Sequence, residues 1–338
     1  MLIILRTVII GCIGAWVAHF LGLPSSWLVG ALIAVVASGV MGIKVAMPKS
    51  TTTMISLFLG ISVAQNISSD LVNELSHWGR SAALLCLMMA ALLLVMYRYY
   101  KRLPGWQREE AMFCSVPGNL AIIMSMAPET GANVRRIALV HSVRLLFLVF
   151  LVPMFLPLAE RELTLEGLYL EHPEQMVATF VLAIALGWLF KRCKVPAAML
   201  VGGLVSTIVL RELLGWDWKL PSVFLLALLV FLGCATGSRF DGIKLADVLP
   251  ELKAAAGGLV ITLVISAVFA VILHYWTGVS WTQALLAYAP GGMEVMIAIA
   301  MNQNVDPLFV ATHQMFRMLT MSLMIPILLF HLKKRQTV

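Results

Sequence analysis

A chain of 338 residues that is 61% hydrophobic and only 12% charged is no water-soluble domain, since soluble chains carry about 25% charged residues. The mean hydropathy is +0.94, and apolar runs of roughly 20 residues, long enough to cross hydrocarbon, recur from end to end. These features define a polytopic membrane protein with no room for a separate soluble domain. The net charge of +7 then needs no nucleic acid, because Lys and Arg collect in cytoplasmic loops and set membrane orientation.

The first apolar run, residues 2–22, lacks a clear small-residue cleavage site and reads as a mature helix. Pro24 opens a second span that runs to about Val45, and Pro48 precedes a short third span ending near Asn66. A polar loop with Asp70, Glu74, His77 and Arg80 leads to a fourth span over about 81–97. The most basic loop follows, with Arg98, Lys101, Arg102 and Arg108. A segment over about 109–128 contains Ser115-Val116-Pro117-Gly118-Asn119, and Arg135 and Arg136 open a span to about Leu158.

An acidic stretch (Glu160, Glu162, Glu166, Glu171, Glu174) marks the middle, after which the pattern restarts. Trp188 matches Trp16. Pro196, Leu200, Val201 and Gly202 match Pro24, Leu28, Val29 and Gly30, and Phe231-Leu232-Gly233 matches Phe58-Leu59-Gly60. Tyr288-Ala289-Pro290-Gly291-Gly292-Met293-Glu294 matches the Pro117 segment at 290 − 117 = 173 positions. Shared apolar composition alone would not keep prolines and glycines aligned, so the chain is an internal duplication. The expected organisation is a first membrane repeat over 1–159, an acidic extracytoplasmic linker over 160–175 and a second membrane repeat over 176–338.

Loop charge predicts the topology. With the basic loops inside, the Pro117 segment enters and leaves on the cytoplasmic face and the Pro290 segment on the outer face. Each half then holds five full spans and one re-entrant element. Five is odd, so the second half is inverted, and both termini are cytoplasmic. The expected fold is all-α, with about ten transmembrane helices plus two re-entrant or broken Pro-Gly helices.

The Pro-Gly pairs are the candidate site. Proline lacks the N–H and glycine costs helix entropy, so each pair breaks its helix. Broken backbone in a membrane lies buried in protein or lines a cavity, and paired breaks in corresponding halves point to a transporter site. Pro117, Gly118, Asn119, Pro290, Gly291 and Gly292 are therefore candidate substrate-binding residues. Each break is followed at the same offset by an arginine within an apolar run, Arg144 and Arg317. A charge there costs at least about 2.5–3.5 kcal/mol on insertion scales and needs a partner or a cavity. The arginines either bind an anionic substrate or cap carbonyls freed by the breaks.

Glu294 has Ala121 as its counterpart, so its role is held once. It is either a proton-coupling carboxylate or an ion-pair partner of Arg317. His313 is a second coupling candidate; His141 and His313 each lie near their arginine but one position out of register. The five cysteines form no CxxC pair, and no His/Asp/Glu set has metal-ligand spacing, so neither a metal, a cofactor nor an enzyme is indicated.

With both segments in view, the chain resembles the AbrB-duplication family of bacterial inner-membrane proteins, also labelled as AbrB-type regulators or ammonia monooxygenases. The residues that carry the resemblance are Ser115 to Asn119, Gly131-Ala132-Asn133-Val134-Arg135 with Arg144, and Ala289 to Glu294 with Arg317. Asn119 stands where a second glycine is usual. The family is similar to inverted-repeat secondary carriers, including carboxylate symporters. The resemblance implies a multi-pass inner-membrane carrier of a small anion. Its other partner is the bilayer, and a homodimer stays open. The alternative is a membrane-embedded regulator that senses a ligand without moving it.

Overall fold

The computed structural model describes residues 2–66, 71–117, 120–156, 172–243, 245–303 and 305–334, and every regular element in them is helical. The first series is α1 (Leu2–Phe20), α2 (Ser26–Val40), α3 (Lys49–Gln65), α4 (Leu71–Lys101), α5 (Arg108–Ser115), α6 (Leu120–Met126) and α7 (Val134–Met154). The second is α8 (Pro173–Arg192), α9 (Ala198–Leu214), α10 (Ser222–Gly237), α11 (Leu245–Thr277), α12 (Trp281–Tyr288), α13 (Met293–Asn302) and α14 (Pro307–Lys334). The two series match element by element, long for long and short for short, at the offset the prolines and glycines predict. The chain is thus an all-α membrane protein with a duplicated element order. Most of the expected linker lies outside the described residues, but α8 begins at Pro173, so 173–175 belong to helix rather than linker.

Seven helices among the described residues are long and apolar enough to cross a membrane: α1, α4 from Trp78, α7, α8, the stretch 223–240, α11 from Leu249, and α14 over 307–325. The remaining members of the expected ten are α2, α3 and α9, with 15, 17 and 17 residues. At 1.5 Å per residue these reach only about 22–26 Å, against a hydrocarbon core of about 30 Å.

The helices sort into two compact units, each drawing on both halves of the sequence. The first holds residues 1–71, 153–243 and 294–310, and so contains α1–α3, α8–α10 and α13. In it α1 packs on α2 and α8 on α9, while α3 packs on α9 and α10 on α2. Each repeat lends its third helix to the second helix of the other, a reciprocal arrangement with the logic of a two-fold contact.

The matched glycines explain the closeness. A Cβ at Gly60 would overlap the Leu200 carbonyl, and one at Gly233 would come within 2.6 Å of the Leu28 carbonyl. The same pairing recurs between neighbours, Gly14 against Gly30 and Gly187 against Gly202. Backbones that approach without side chains gain dispersion contact, which drives helix packing where lipid removes the hydrophobic term. The turns are duplicated too: Ser25 and Ala197 both adopt positive φ, 50° and 52°, just after Pro24 and Pro196.

The second unit holds residues 72–152, 244–293 and 311–338, and so contains α4–α7, α11, α12 and most of α14. Here α4 meets α11 through Tyr99, whose hydroxyl donates to the Lys253 carbonyl at 3.1 Å. Gly257 and Gly258 leave room for the Tyr99 and Tyr100 rings. Both Pro-Gly breaks and both buried arginines fall in this unit.

Candidate functional site

Each break starts from the same local rule. The residue before a proline is pushed out of the helical region toward extended backbone. Val116 accordingly has φ −71° and ψ 121° after α5, and Ala289 has φ −61° and ψ 124° after α12. Past the second break the Gly291 N–H turns back to the Ala289 carbonyl at 2.9 Å. Gly118 and Asn119 lie outside the described residues. Pro117, Ala289, Pro290 and Gly291 are buried.

Ending a helix this way orphans its last carbonyls, and burial makes orphans costly. Arg144, 3% exposed, donates from Nη1 to the Cys114 carbonyl and from Nη2 to the Val116 carbonyl, both at 3.0 Å. Arg317, 4% exposed, donates from Nη1 to Ala289 at 2.7 Å and from Nη2 to Gly291 at 2.9 Å. The arginines therefore do cap the freed carbonyls. Three of those carbonyls, Cys114, Val116 and Ala289, lie at the negative ends of α5 and α12, which offset part of each buried positive charge.

A second side chain assists at each break, three residues before the arginine and so on the same helix face. His141 bonds the Phe113 carbonyl through Nε2 at 3.0 Å. A carbonyl only accepts, so Nε2 carries the hydrogen and Nδ1 is left to accept from Arg144 Nη2 at 2.9 Å. Gln314 donates from Nε2 to Leu286 at 2.8 Å, to Ala289 at 3.0 Å and to Ala287 at 3.4 Å. Gln314, not His313, is the counterpart of His141. The 173-residue offset already marks the pair, but a search for matching residue types passes over a glutamine facing a histidine.

His313, 2% exposed, serves elsewhere: its Nε2 lies 2.8 Å from the Ser81 hydroxyl. Ser81 donates to the Trp78 carbonyl at 2.8 Å, and its own carbonyl accepts from Tyr288 at 2.6 Å. These bonds tie α14 and the last residue of α12 to α4. Glu294 belongs to the first unit, where its Oε1 accepts from Ser56 of α3 at 3.2 Å. Within the second unit, no carboxylate among the described residues lies within ion-pair distance of either buried arginine.

The two guanidiniums lie in the same unit, each at the break of its own repeat. Each has five N–H groups. Three on Arg144 and two on Arg317 are committed to the bonds above. The others have no partner among the described residues. A buried guanidinium backed by carbonyl dipoles, with N–H donors to spare, is able to bind an anion.

A separate ion cluster fixes the start of α5 and is invisible to motif reading. Buried Glu110 accepts from the backbone N–H groups of Gln107 at 3.1 Å and Asn133 at 3.2 Å. Arg136 bridges Glu110 and Glu251 of α11, each at 2.9 Å, and lies over the Trp106 ring.

These features are those of a helical membrane protein with a duplicated broken-helix centre, and the family follows from the whole chain. A model described as transition state regulatory protein AbrB matches residues 27–333, and the chain belongs to this AbrB family. It is 25% identical to a protein of Escherichia coli (strain K12) named "Putative regulator AbrB", over 89% of this chain and 88% of that one. It is 24% identical to "Uncharacterized protein YhjN" of Bacillus subtilis (strain 168), over 94% of this chain and 90% of that one.

Proposed function

We propose that this protein is a secondary transporter that moves a small, carboxylate-like anion across the bacterial inner membrane by alternating access, coupled to protons. The observation that carries the reading is the pair Arg144 and Arg317: both buried in one unit, free of carboxylate partners among that unit's described residues, and keeping spare N–H donors. The carbonyl bonds hold each planar group in place, so an anion meets preset donors and adds the missing negative charge. Pro117, Pro290, Gly291 and Gly292 supply the breaks that put those carbonyls there, and Gly118 and Asn119 follow the first in sequence. Glu294, next to the second break and held once, is the coupling carboxylate. The duplicated halves are inverted, with both termini cytoplasmic, which satisfies the positive-inside bias in every loop.

The test is uptake into proteoliposomes from a panel of labelled organic anions under an inward proton gradient. Uptake that collapses in Arg317→Lys and Arg144→Lys, in protein that elutes and melts like the parent, supports the reading. Lysine keeps the charge but loses the planar fork. Uptake that survives both substitutions overturns it.

A second reading rests on one observation: a relative is named as a regulator. A membrane sensor would bind the same anions in detergent and show no flux in vesicles.

A further inference from the structure

We infer that the anion carried by this protein is a 2-hydroxy carboxylate, with its hydroxyl recognised by the side-chain oxygen of Gln314. This rests on the anion site proposed for Arg144 and Arg317 and names the class of its ligand.

The argument starts from the amide's orientation. Three backbone carbonyls, Leu286, Ala287 and Ala289, lie around one end of the Gln314 amide. Carbonyls accept only, so that end is the NH2 and both its hydrogens are committed. Oε1 then points away from the carbonyls. It is fully buried and has no hydrogen-bond partner among the described residues. A buried acceptor left unpaired carries a desolvation cost that a ligand donor removes.

Position makes this acceptor part of the anion site. Gln314 precedes Arg317 by three residues on α14, so the two share a helix face, and both donate to the Ala289 carbonyl. A ligand whose carboxylate meets Arg317 has its adjacent substituent within reach of Gln314. The first repeat offers no such acceptor. There His141 gives its hydrogen to Phe113, and its one lone pair is taken by Arg144. The duplicated site thus reads charge twice and a donor once.

The donor's charge follows from the surroundings. An ammonium group would be a second positive charge beside the buried Arg317 guanidinium. A hydroxyl donates without that cost. The chemistry chosen is a neutral O–H next to a carboxylate.

The test compares acids that differ by that hydroxyl alone: lactate against propionate, malate against succinate, citrate against tricarballylate, with alanine as the ammonium control. Binding is read by calorimetry on purified protein in nanodiscs. At least one hydroxy acid is expected to bind about tenfold more tightly than its deoxy partner, from the penalty of leaving the oxygen unpaired, and alanine to bind more weakly than lactate. In Gln314→His, which copies the first repeat's arrangement, the ratio is expected to fall toward one. Equal affinities within every pair in the parent protein overturn the inference while leaving the anion site standing, as does a ratio that Gln314→His does not move. No binding by any acid, hydroxylated or not, overturns the anion site and this inference with it. Tighter binding of alanine than lactate overturns the hydroxyl assignment.

Discussion

His141 and Gln314 hold the same carbonyl in two copies of one fold. His141 binds Phe113, Gln314 binds Leu286, and both pairs are related by the offset that relates Pro117 to Pro290. The two halves share the bond and differ in the residue that makes it. What the break requires is a donor at that height on the following helix, and either side chain supplies one.

That requirement gives the first prediction. His141→Gln is expected to leave the thermal midpoint of the purified protein within a few degrees of the parent, since glutamine supplies an N–H for Phe113 and an oxygen for Arg144. His141→Leu orphans a buried carbonyl and removes an acceptor from Arg144, for a loss of about 1–3 kcal/mol. Equal midpoints for the two variants would show that the carbonyl finds its partner elsewhere.

The glycine contacts give the second. Gly60→Ala and Gly233→Ala each drive a methyl into a backbone carbonyl of a helix from the other repeat. Each is expected to cost about 1–3 kcal/mol, as overpacking against rigid groups does. Because the contacts are equivalent, the two losses should be similar. Gly79→Ala is the control, with nothing within 4 Å of its Cβ. Circular dichroism melts in one detergent compare all three.

Much of this architecture is legible before any coordinates. Gly60 and Gly233, and Leu28 and Leu200, are matched in the sequence and prove to be one contact made twice, and the residue before each matched proline is extended in both copies. Polar work done by single side chains is not legible in that way. Glu294 next to a break gives no sign of Ser56, 238 residues away, whose hydroxyl it accepts from. His313 suggests a role beside Arg317, yet it bonds Ser81, 232 residues away. Periodicity and spacing report which face a residue shares. They do not report which distant helix supplies the hydrogen bond.

Glu294 provides the third prediction. Its Oε1 accepts from Ser56, and glutamine keeps that oxygen while losing the charge and the titration. Glu294→Gln is expected to melt with the parent and to exchange anion across proteoliposome membranes, but to lose acceleration of uptake by an inward proton gradient. Gradient-driven uptake at the parent rate would remove Glu294 from the coupling.

The ion cluster at the start of α5 gives the last, and it separates a stabilising contact from a compensating one. Arg136 touches two carboxylates, Glu110 and Glu251, while Glu110 is almost wholly buried, its side chain 4% exposed. Removing the arginine alone leaves that carboxylate without its cation, a change worth about 3–5 kcal/mol where buried pairs are broken. Removing both charges leaves nothing uncompensated at Glu110, and its two backbone donors, Gln107 and Asn133, still find an oxygen if glutamine stands there. Arg136→Gln is therefore expected to destabilise the protein more than the double variant Glu110→Gln/Arg136→Gln, the single variant Glu110→Gln falling closest to the parent. Thermal or denaturant midpoints of all four proteins close the cycle. Additive losses would mean that Arg136 acts through Glu251 and the Trp106 ring alone, and that the buried carboxylate is held by its backbone donors without the arginine.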